Sequence, residues 1–322
     1  MFEASQLIFY YAISPVHMGA GSAIGAIDSP IQREVHTKHP MFAGSGLKGA
    51  LRHHFNRAWP LMEGEGDGKS SKPSSLINRI FGPDTGAPDF AGALSLSDAQ
   101  LVALPVRSLK GGFAYVTSPL ALARLHRLST QTGASPEWAV PTVAESKSQT
   151  SSDKLLSGKQ LILESFEFDA EVSDKLLNIA QWLATHALPG SANTFFADKL
   201  KSDLVLLNDT DFSHFAHHAM VVEPHVRIND ESGTADDGGL FYVENLPPET
   251  LMVGLAQATI ERFKKGSRQG EAPALLRAPE VLAHVFSREG NTQPGIGGKL
   301  LQIGGDATTG RGLVMVQPSP LR

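Results

Sequence analysis

The sequence predicts an α+β fold, because apolar strand-like runs alternate with amphipathic helical segments along its 322 residues. Residues 7–13 form an apolar, aromatic run that is typical of a β-strand. Residues 45–58 repeat Leu47, Leu51 and Phe55 at helical spacing on one face. The 31 glycines and 20 prolines indicate many turns between such elements. We therefore expect a sheet with helices on one face, interrupted by polar insertions.

The same patterns predict the remaining elements in chain order. Further helices are expected near residues 119–131, 176–188 and 274–287. Further strands are expected near residues 92–97, 161–168, 204–207, 219–228, 239–244, 250–256, 299–303 and 312–317. Two polar runs, at about 61–75 and 143–160, are predicted to be flexible insertions in a single domain spanning 1–322.

Composition excludes several classes of protein. The chain has no cysteine, which excludes a disulfide framework, thiolate zinc sites and a cysteine nucleophile, and which is typical of a reducing compartment. No basic region precedes an apolar run at the N-terminus, and no apolar stretch approaches the roughly 20 residues that span a bilayer. We therefore expect a cytoplasmic protein with no membrane partner.

The charge distribution is uneven. The net charge is −5, whereas a free-standing nucleic-acid-binding protein is usually basic. The segment 31–60 nevertheless holds one anion, Glu34, and five cations, namely Arg33, Lys38, Lys48, Arg52 and Arg57. A local basic strip of this kind can bind phosphate while acidic surfaces contact protein partners.

A glycine-rich segment, GGDATTGRG at 304–312, lies between two predicted strands. Glycine allows close approach to a ligand and lets main-chain amides turn outward, as in an anion-binding nest. Hydroxyl and guanidinium donors could add contacts to phosphate. The candidate RNA-binding residues here are Gly304, Gly305, Thr308, Thr309, Gly310 and Arg311. A glycine-rich hairpin without a ligand is an equally good interpretation of this segment alone.

A second glycine-rich turn, at 44–52, leads into the first predicted helix. A helix N-terminus offers unpaired N–H groups to an anion, and we expect Ser45 to cap it. Lys48 and Arg52 extend a positive surface at one-turn intervals, and Ser45, Lys48 and Arg52 are the candidate RNA-binding residues of this segment. The alternative is a capped amphipathic helix whose basic face is simply solvated.

Candidate acids and bases are scattered. Asp28 is the only carboxylate between Glu3 and Glu34, and a lone carboxylate in a loop of small residues can position a divalent metal at a phosphodiester. His17 precedes it at a strand end. The alternative for Asp28 is an Asx turn before Pro30.

Two later segments are also rich in ionisable side chains. The histidine-rich run 214–225 lacks the His-Glu-x-x-His order of a zinc helix, so it predicts a polar, partly exposed element. The cluster 235–251 contains the further carboxylates Asp237 and Glu244.

Five segments in this order resemble the RAMP superfamily, and most closely the backbone subunit of the type III-B CRISPR (Cmr) effector. They are SPVHMGAG, AIDSPIQRE, HPMFAGSGLKGALR, DDGGLFYVENLPPETL and LQIGGDATTGRG. The match covers both ends and the region 223–256, whereas residues 61–160 carry little of it.

The resemblance implies a modified ferredoxin-like (RRM-like) core with a protruding β-hairpin thumb within about 205–246. It implies an antiviral ribonucleoprotein in which several copies bind a guide (CRISPR) RNA beside other Cmr subunits. By motif position, Asp28 would cleave complementary target RNA with a divalent metal ion, Mg or Mn. His17, Glu244 and Asp237 are further catalytic candidates.

The same resemblance implies that Lys48 and Arg52 hold guide phosphates, with the segment 304–312 alongside. Two alternatives stay open. One is a non-catalytic RNA-packaging subunit, in which Asp28 is only a turn residue. The other is a stand-alone guide-RNA-processing endonuclease, which would use His17 as a general acid or base.

Overall fold

The computed structural model describes residues 2–21, 25, 27–59, 75–83, 90–262, 275–287 and 295–321. The insertion predicted at 61–75 lies outside these ranges except for its last residue. None of the described helices is both long enough and apolar enough to cross a membrane.

The described residues form strands and helices that alternate along the chain. The strands are β1 (Ala4–Ala12), β2 (Met41–Phe42), β3 (Leu94–Leu96), β4 (Ala99–Ser108), β5 (Gly112–Thr117), β6 (Lys147–Thr150), β7 (Gln160–Leu163), β8 (Phe166–Val172), β9 (Leu204–Leu207), β10 (Val221–Ile228), β11 (Ala235–Asn245), β12 (Leu251–Ala258), β13 (Lys299–Gln302) and β14 (Leu313–Pro318). The helices are α1 (Gly44–Ala58), α2 (Ser75–Phe81), α3 (Pro119–Gln131), α4 (Asp174–Ala187), α5 (Thr194–Ser202), α6 (Asp209–His218) and α7 (Ala278–Phe286).

One large mixed sheet organises the chain. Its strand order is β13-β14-β1-β12-β4-β5-β9-β6-β8-β7, and β2 and β3 pair with β4 and β12. Ser108 of β4 also pairs with Leu163 of β7, so the strands from β4 to β7 return onto β4. The α+β class predicted from the alternating patterns is confirmed by this architecture.

Helices cover both faces of the sheet, so the expectation of helices on one face is wrong. Alternate residues of β1 show why: Ile8 and Tyr10 join one buried cluster, and Phe9 and Tyr11 join another. The first cluster is completed by α1, α2, α6 and α7, and the second by α3, α4 and α5. An apolar run of this kind, without polar alternation, is typical of a strand buried on both faces.

The polar run 143–160 is not a flexible insertion, contrary to the prediction. Its residues 147–150 form β6, which lies inside the sheet between β9 and β8. Ser148 and Thr150 are buried there, because main-chain pairing with both neighbouring strands satisfies the backbone. The single strand predicted at 161–168 is two strands, separated by a turn at Glu164 with φ 53°.

A separate hairpin of β10 and β11 stands apart from the large sheet. Its register runs from Val221–Asn245 to Val226–Leu240, with a bulge before Ile228. It falls within the range 205–246 in which the resemblance places a thumb. The base of the hairpin is joined to the body by isolated bridges from Val16 to Leu246 and from Ser29 to Val243.

Candidate functional site

Asp28 is held at the base of the hairpin. The main-chain N–H of Tyr242 donates to the Asp28 Oδ2 at 2.7 Å. The neighbouring Ser29 exchanges main-chain hydrogen bonds with Tyr242 and Glu244, at 3.1 and 3.0 Å. Residues 28–29 therefore lie along the edge of β11 that β10 leaves unpaired. The Asp28 side chain is exposed, so a ligand can approach it.

Glu244 is buried behind this loop, with 4% of its surface exposed. Its Oε2 accepts the N–H of Ile31 at 3.0 Å, and its Oε1 forms an ion pair of 2.5 Å with Arg33. Arg33 also donates to the carbonyl oxygens of Lys38 and Ala216. With both carboxylate oxygens engaged, Glu244 fixes the Asp28 loop against β11. This geometry supports positioning rather than the catalytic contact predicted from the sequence.

His17 contacts the same edge of β11. Its Nδ1 lies 2.7 Å from the carbonyl oxygen of Glu244. A carbonyl can only accept, so Nδ1 carries the hydrogen and Nε2 has a free lone pair in the neutral ring. Tyr242 and Glu244 are two residues apart, which places the Asp28 and His17 contacts roughly 7 Å apart along the strand.

The glycine loop, residues 304–312, packs on His17. The N–H of Gly305 donates to the His17 carbonyl oxygen at 2.8 Å. Gly304 has φ 71°, and a Cβ there would collide with that same oxygen. Residues 304–310 are exposed, as a nucleic-acid contact requires. Loop and catalytic candidates are thus brought together, although the sequence separates them by almost 290 positions.

Several predicted phosphate donors of this loop have partners within the chain. Arg311 forms an ion pair of 2.5 Å with Glu223 of β10. The Thr309 hydroxyl donates to the carbonyl oxygen of Asp306 at 2.8 Å. Thr308 and Gly310 are exposed. The assignment of the loop to RNA stays a prediction, and its main-chain shape is the part that the geometry supports best.

The predicted basic face of α1 is also engaged internally. Lys48 Nζ donates to the carbonyl oxygen of Leu94 at 2.8 Å, and Arg52 donates to Gly82 and to Asn78 of α2. Burial, and then the nearby Arg52 charge, lower the pKa of Lys48. These two cations fasten α1 to its neighbours, and their contact with guide phosphates stays a prediction.

Ser45 does not cap α1, so that expectation is wrong. The helix begins at Gly44, and Ala43 occupies the capping position without a side-chain hydrogen bond. The Gly44 N–H donates instead to the Asp98 Oδ1 at 2.8 Å. The Asp98 carboxylate, in the loop before β4, therefore caps the N-terminus of α1. No local sequence signal predicts this contact. Ser45 itself is exposed in the first turn.

Asp237 and the histidine-rich run lie away from this site. Asp237 is exposed on β11, five residues from Tyr242 and so roughly 16 Å along the strand from the Asp28 contact. His214 and His218 lie on α6 with ring centroids 4.6 Å apart. Within the described ranges no three His, Cys, Asp or Glu side chains are grouped to hold a metal ion. Asp28 would thus be a single carboxylate ligand, and an ion there would need RNA oxygens and water to complete its shell.

Residues that the sequence did not mark as functional complete the site. Arg33 and Ile31 hold Glu244, and the main-chain N–H of Tyr242 holds Asp28. Gly19 matters for access, because a Cβ there would lie 2.9 Å from the His17 Nε2. The only local signal was the position of Arg33 in the basic segment. Main-chain partners leave no trace in a single sequence.

An exposed carboxylate and a half-buried histidine lie between a hairpin and a glycine loop of this α+β protein. The family model of the RAMP superfamily matches residues 9–315. The chain therefore belongs to the RAMP superfamily.

Two curated relatives cover most of the chain. The CRISPR system Cmr endoribonuclease Cmr4 of Pyrococcus furiosus is 34% identical over 312 residues, which is 96% of this chain and 94% of that protein. The CRISPR system CMR subunit Cmr4 of Saccharolobus solfataricus is 23% identical over 76% of this chain and 80% of that protein.

Solved structures agree in fold. Oligomeric Cmr4 from Pyrococcus furiosus superimposes with a TM-score of 0.68 at 28% identity, covering 98% of both chains. A chain of the type III-B Cmr-beta complex bound to cognate target RNA superimposes with a TM-score of 0.67 at 19% identity, over 98% of each chain, which shows the shared fold alone.

Proposed function

We propose that this chain is the repeated backbone subunit of an RNA-guided type III-B CRISPR effector, and that it cleaves complementary target RNA at Asp28. The observation that carries the proposal is the Asp28 carboxylate, exposed and held by the Tyr242 N–H at 2.7 Å. A carboxylate fixed by its main-chain partner keeps one orientation, which catalysis of phosphodiester cleavage needs. The relative named as an endoribonuclease, at 34% identity, supports the activity.

The proposed chemistry uses the 2′-hydroxyl of the target RNA as the nucleophile. Its oxygen forms a bond to the adjacent phosphorus, and the bond to the 5′-oxygen of the next nucleotide breaks. The phosphorus is left in a 2′,3′-cyclic phosphate, and the leaving 5′-oxygen takes a proton from water to become a 5′-hydroxyl. His17 presents Nε2 as the proton acceptor, because its Nδ1 is committed to the Glu244 carbonyl. Glu244 and Arg33 stay behind the reacting groups and hold the Asp28 loop in register with β11.

The proposal includes a divalent metal ion, either Mg²⁺ or Mn²⁺. When bound, it would neutralise charge on the phosphoryl oxygens. The described residues provide Asp28 as its ligand, with one oxygen already accepting the Tyr242 N–H. Such an ion would arrive with the RNA, because Mg²⁺ is commonly bound through one or two carboxylates together with substrate phosphates.

The hairpin of β10 and β11 is our candidate for the thumb. Its register places Val222, Val226, Leu240 and Tyr242 on one face, and all four are exposed. An apolar face in solvent is typical of a binding surface, and unstacked bases are apolar partners. Strands β14, β1, β12 and β4, with α1 and α7 on one face, support a ferredoxin-like core.

Multiple copies on one guide explain the acidic net charge of −5. Each copy needs only one local RNA contact surface, and affinity accumulates along the strand. The remaining surface is then free to contact further copies and the other Cmr subunits. In this arrangement a single copy binds RNA weakly and the assembly binds tightly.

The test is target cleavage by the assembled complex carrying Asp28→Asn. We expect unchanged guide binding and target capture, and cleavage lower by about 10²-fold or more at every site. Asp237→Asn is the matched control, because it removes an exposed carboxylate from β11, the strand along which the Asp28 loop lies. Target RNA with 2′-deoxy substitutions at the cleavage sites should be bound and left intact.

Undiminished cutting by Asp28→Asn would remove Asp28 from the chemistry. If wild-type complex captures target RNA without cutting it over a range of Mg²⁺ and Mn²⁺ concentrations, the protein is an RNA-packaging subunit instead. If the isolated chain cuts precursor guide RNA without assembling, it is a processing endonuclease.

A further inference from the structure

A cavity of about 290 Å³ lies between the outer face of α1 and β13. Its helical wall presents His53, His54 and Arg57, and its strand wall presents Leu301 and Gln302. Arg57 lies one turn after both histidines, at i+4 from His53 and at i+3 from His54, so it is a neighbour of each on the helix surface. This face differs from the one that carries Lys48 and Arg52.

The charge of the cavity is positive. No carboxylate is among the described residues that line it. Arg57 and His53 are exposed, and the segment 304–310 that follows this strand is exposed as well. Burial, and then the nearby charge of Lys299, lower the pKa of His54. Unlike Lys48 and Arg52, which donate to neighbouring elements, the Arg57 guanidinium lies on the solvent side of the helix.

The size and lining of the cavity suit one nucleotide unit. A guanidinium presents paired N–H groups that match two phosphate oxygens, and an imidazole N–H adds a third donor. Ala50 and Ala58 provide a small apolar surface for the C–H groups of a ribose. A volume near 290 Å³ is enough for a phosphate with its sugar.

The cavity is continuous with the glycine loop. Gln302, which lines the cavity, donates through Nε2 to the carbonyl oxygen of Arg311 at 2.6 Å. A single RNA strand lying over the exposed residues 304–310 would therefore meet the cavity next.

We propose that this cavity binds a backbone phosphate of the guide RNA through Arg57 and His53. The proposal rests on the proposed function for the identity of the RNA. It assigns Arg57 of the basic segment 31–60 to a phosphate contact on a face of α1 other than the one that carries Lys48 and Arg52.

The test measures single-stranded guide RNA binding by the full chain carrying Arg57→Gln and His53→Gln, over a series of salt concentrations. We expect affinity to fall about five- to twentyfold, with a shallower salt dependence corresponding to about one phosphate contact. Arg127→Gln is the matched control, because this exposed arginine lies on α3 at the opposite face of the sheet. Thermal unfolding of all variants should match that of the wild-type chain, since the altered side chains are exposed.

A second arm uses guide RNA in which single phosphates are replaced by neutral methylphosphonates. The affinity of the wild-type chain should fall when the replaced phosphate is the one that contacts the cavity, once in each stretch of guide RNA that a copy binds. The affinity of the double variant should not change at that position. Equal RNA affinity and salt dependence of variant and wild type would overturn the proposal. Intact RNA binding with failed assembly would also overturn it, and would assign the cavity to an acidic side chain of a neighbouring protein. Neither result depends on cleavage, so the proposal and the proposed activity at Asp28 can fail separately.

Discussion

His17 and Glu244, 227 positions apart, are joined by a hydrogen bond in which the imidazole Nδ1 donates to a main-chain carbonyl oxygen at 2.7 Å. This bond fixes the tautomer of His17 and the direction of its Nε2. The histidine ring thus depends on the hairpin strand for its orientation and on Gly19 for open access to Nε2.

The relationship predicts the effect of His17→Asn. An asparagine amide can replace the Nδ1 donor to Glu244 and has no counterpart of Nε2. We expect thermal stability and target capture like those of wild type, and cleavage lower by about 10²-fold. Gly19→Ala should reduce cleavage as well, because its methyl group crowds Nε2. Single-turnover cleavage of bound target measures both, and wild-type rates in His17→Asn would exclude the imidazole from proton transfer.

The buried pair Arg33–Glu244 predicts a large stability effect. Glu244→Gln keeps an acceptor for the Ile31 N–H and leaves the Arg33 charge without its carboxylate. We expect the free energy of unfolding to fall by about 1–3 kcal/mol in urea titrations. The double variant Arg33→Gln/Glu244→Gln should recover part of that loss. Strictly additive effects would show that the two side chains are not coupled, and Glu231→Gln at the exposed hairpin tip serves as the control.

The glycine loop predicts a ranking of three alanine variants. Gly304→Ala should be the most damaging, at about 2 kcal/mol or more, because φ 71° is strained and the new methyl group meets the His17 carbonyl oxygen. Gly310→Ala, with φ 82° and open space around it, should cost about 1 kcal/mol. Gly305 has no positive φ, and a Cβ there would lie 3.3 Å from the His17 Cδ2 and 3.9 Å from the His17 carbonyl oxygen, so a small effect is expected for Gly305→Ala. Thermal unfolding and assembly on guide RNA measure the ranking. If Gly305→Ala were the least stable of the three variants, the prediction would be wrong.

The half-buried carboxyl of Glu249 predicts a pH dependence away from the site. Tyr11 donates to Glu249, and burial is the main cause that raises the pKa of Glu249. A raised pKa in the folded state gives stability that is present below the ordinary carboxyl pKa of 4.5 and is lost as pH rises through the folded value. Relative to Glu249→Gln, which cannot ionise, wild type should lose unfolding free energy over that window. Urea titrations between about pH 4 and pH 8 measure the difference, and a constant value would contradict the prediction.

Local patterns predicted the helices and strands whose own apolar side chains recur at helical or strand spacing. The helix expected at 119–131 is Pro119–Gln131, and the strand expected at 7–13 is Ala4–Ala12. β6 was missed because Lys147–Thr150 is polar and gains its place from two neighbouring strands. Propensity within four residues cannot compete with pairing of that kind.

The same limit applies to the candidate site. Asp28 and His17 stood out as isolated side chains of suitable chemistry. The role of Glu244 depends on Arg33, which is 211 positions away, and the capping of α1 depends on Asp98, which lies 54 positions from Gly44. Such pairs are set by the tertiary structure, so a sequence can indicate the chemistry of each residue and leave its partner open.

The pairing of β7 with β4 affects how copies of the chain can contact one another when they are held side by side. At that end of the large sheet, the hydrogen-bonding groups of β7 are met by β4 and by the residues beside it, so they do not offer a template to another chain. Copies of the chain held side by side would be at very high local concentration. Strand exchange and fibre-like stacking are then discouraged at β7, where a neighbouring copy would have to bind through side chains.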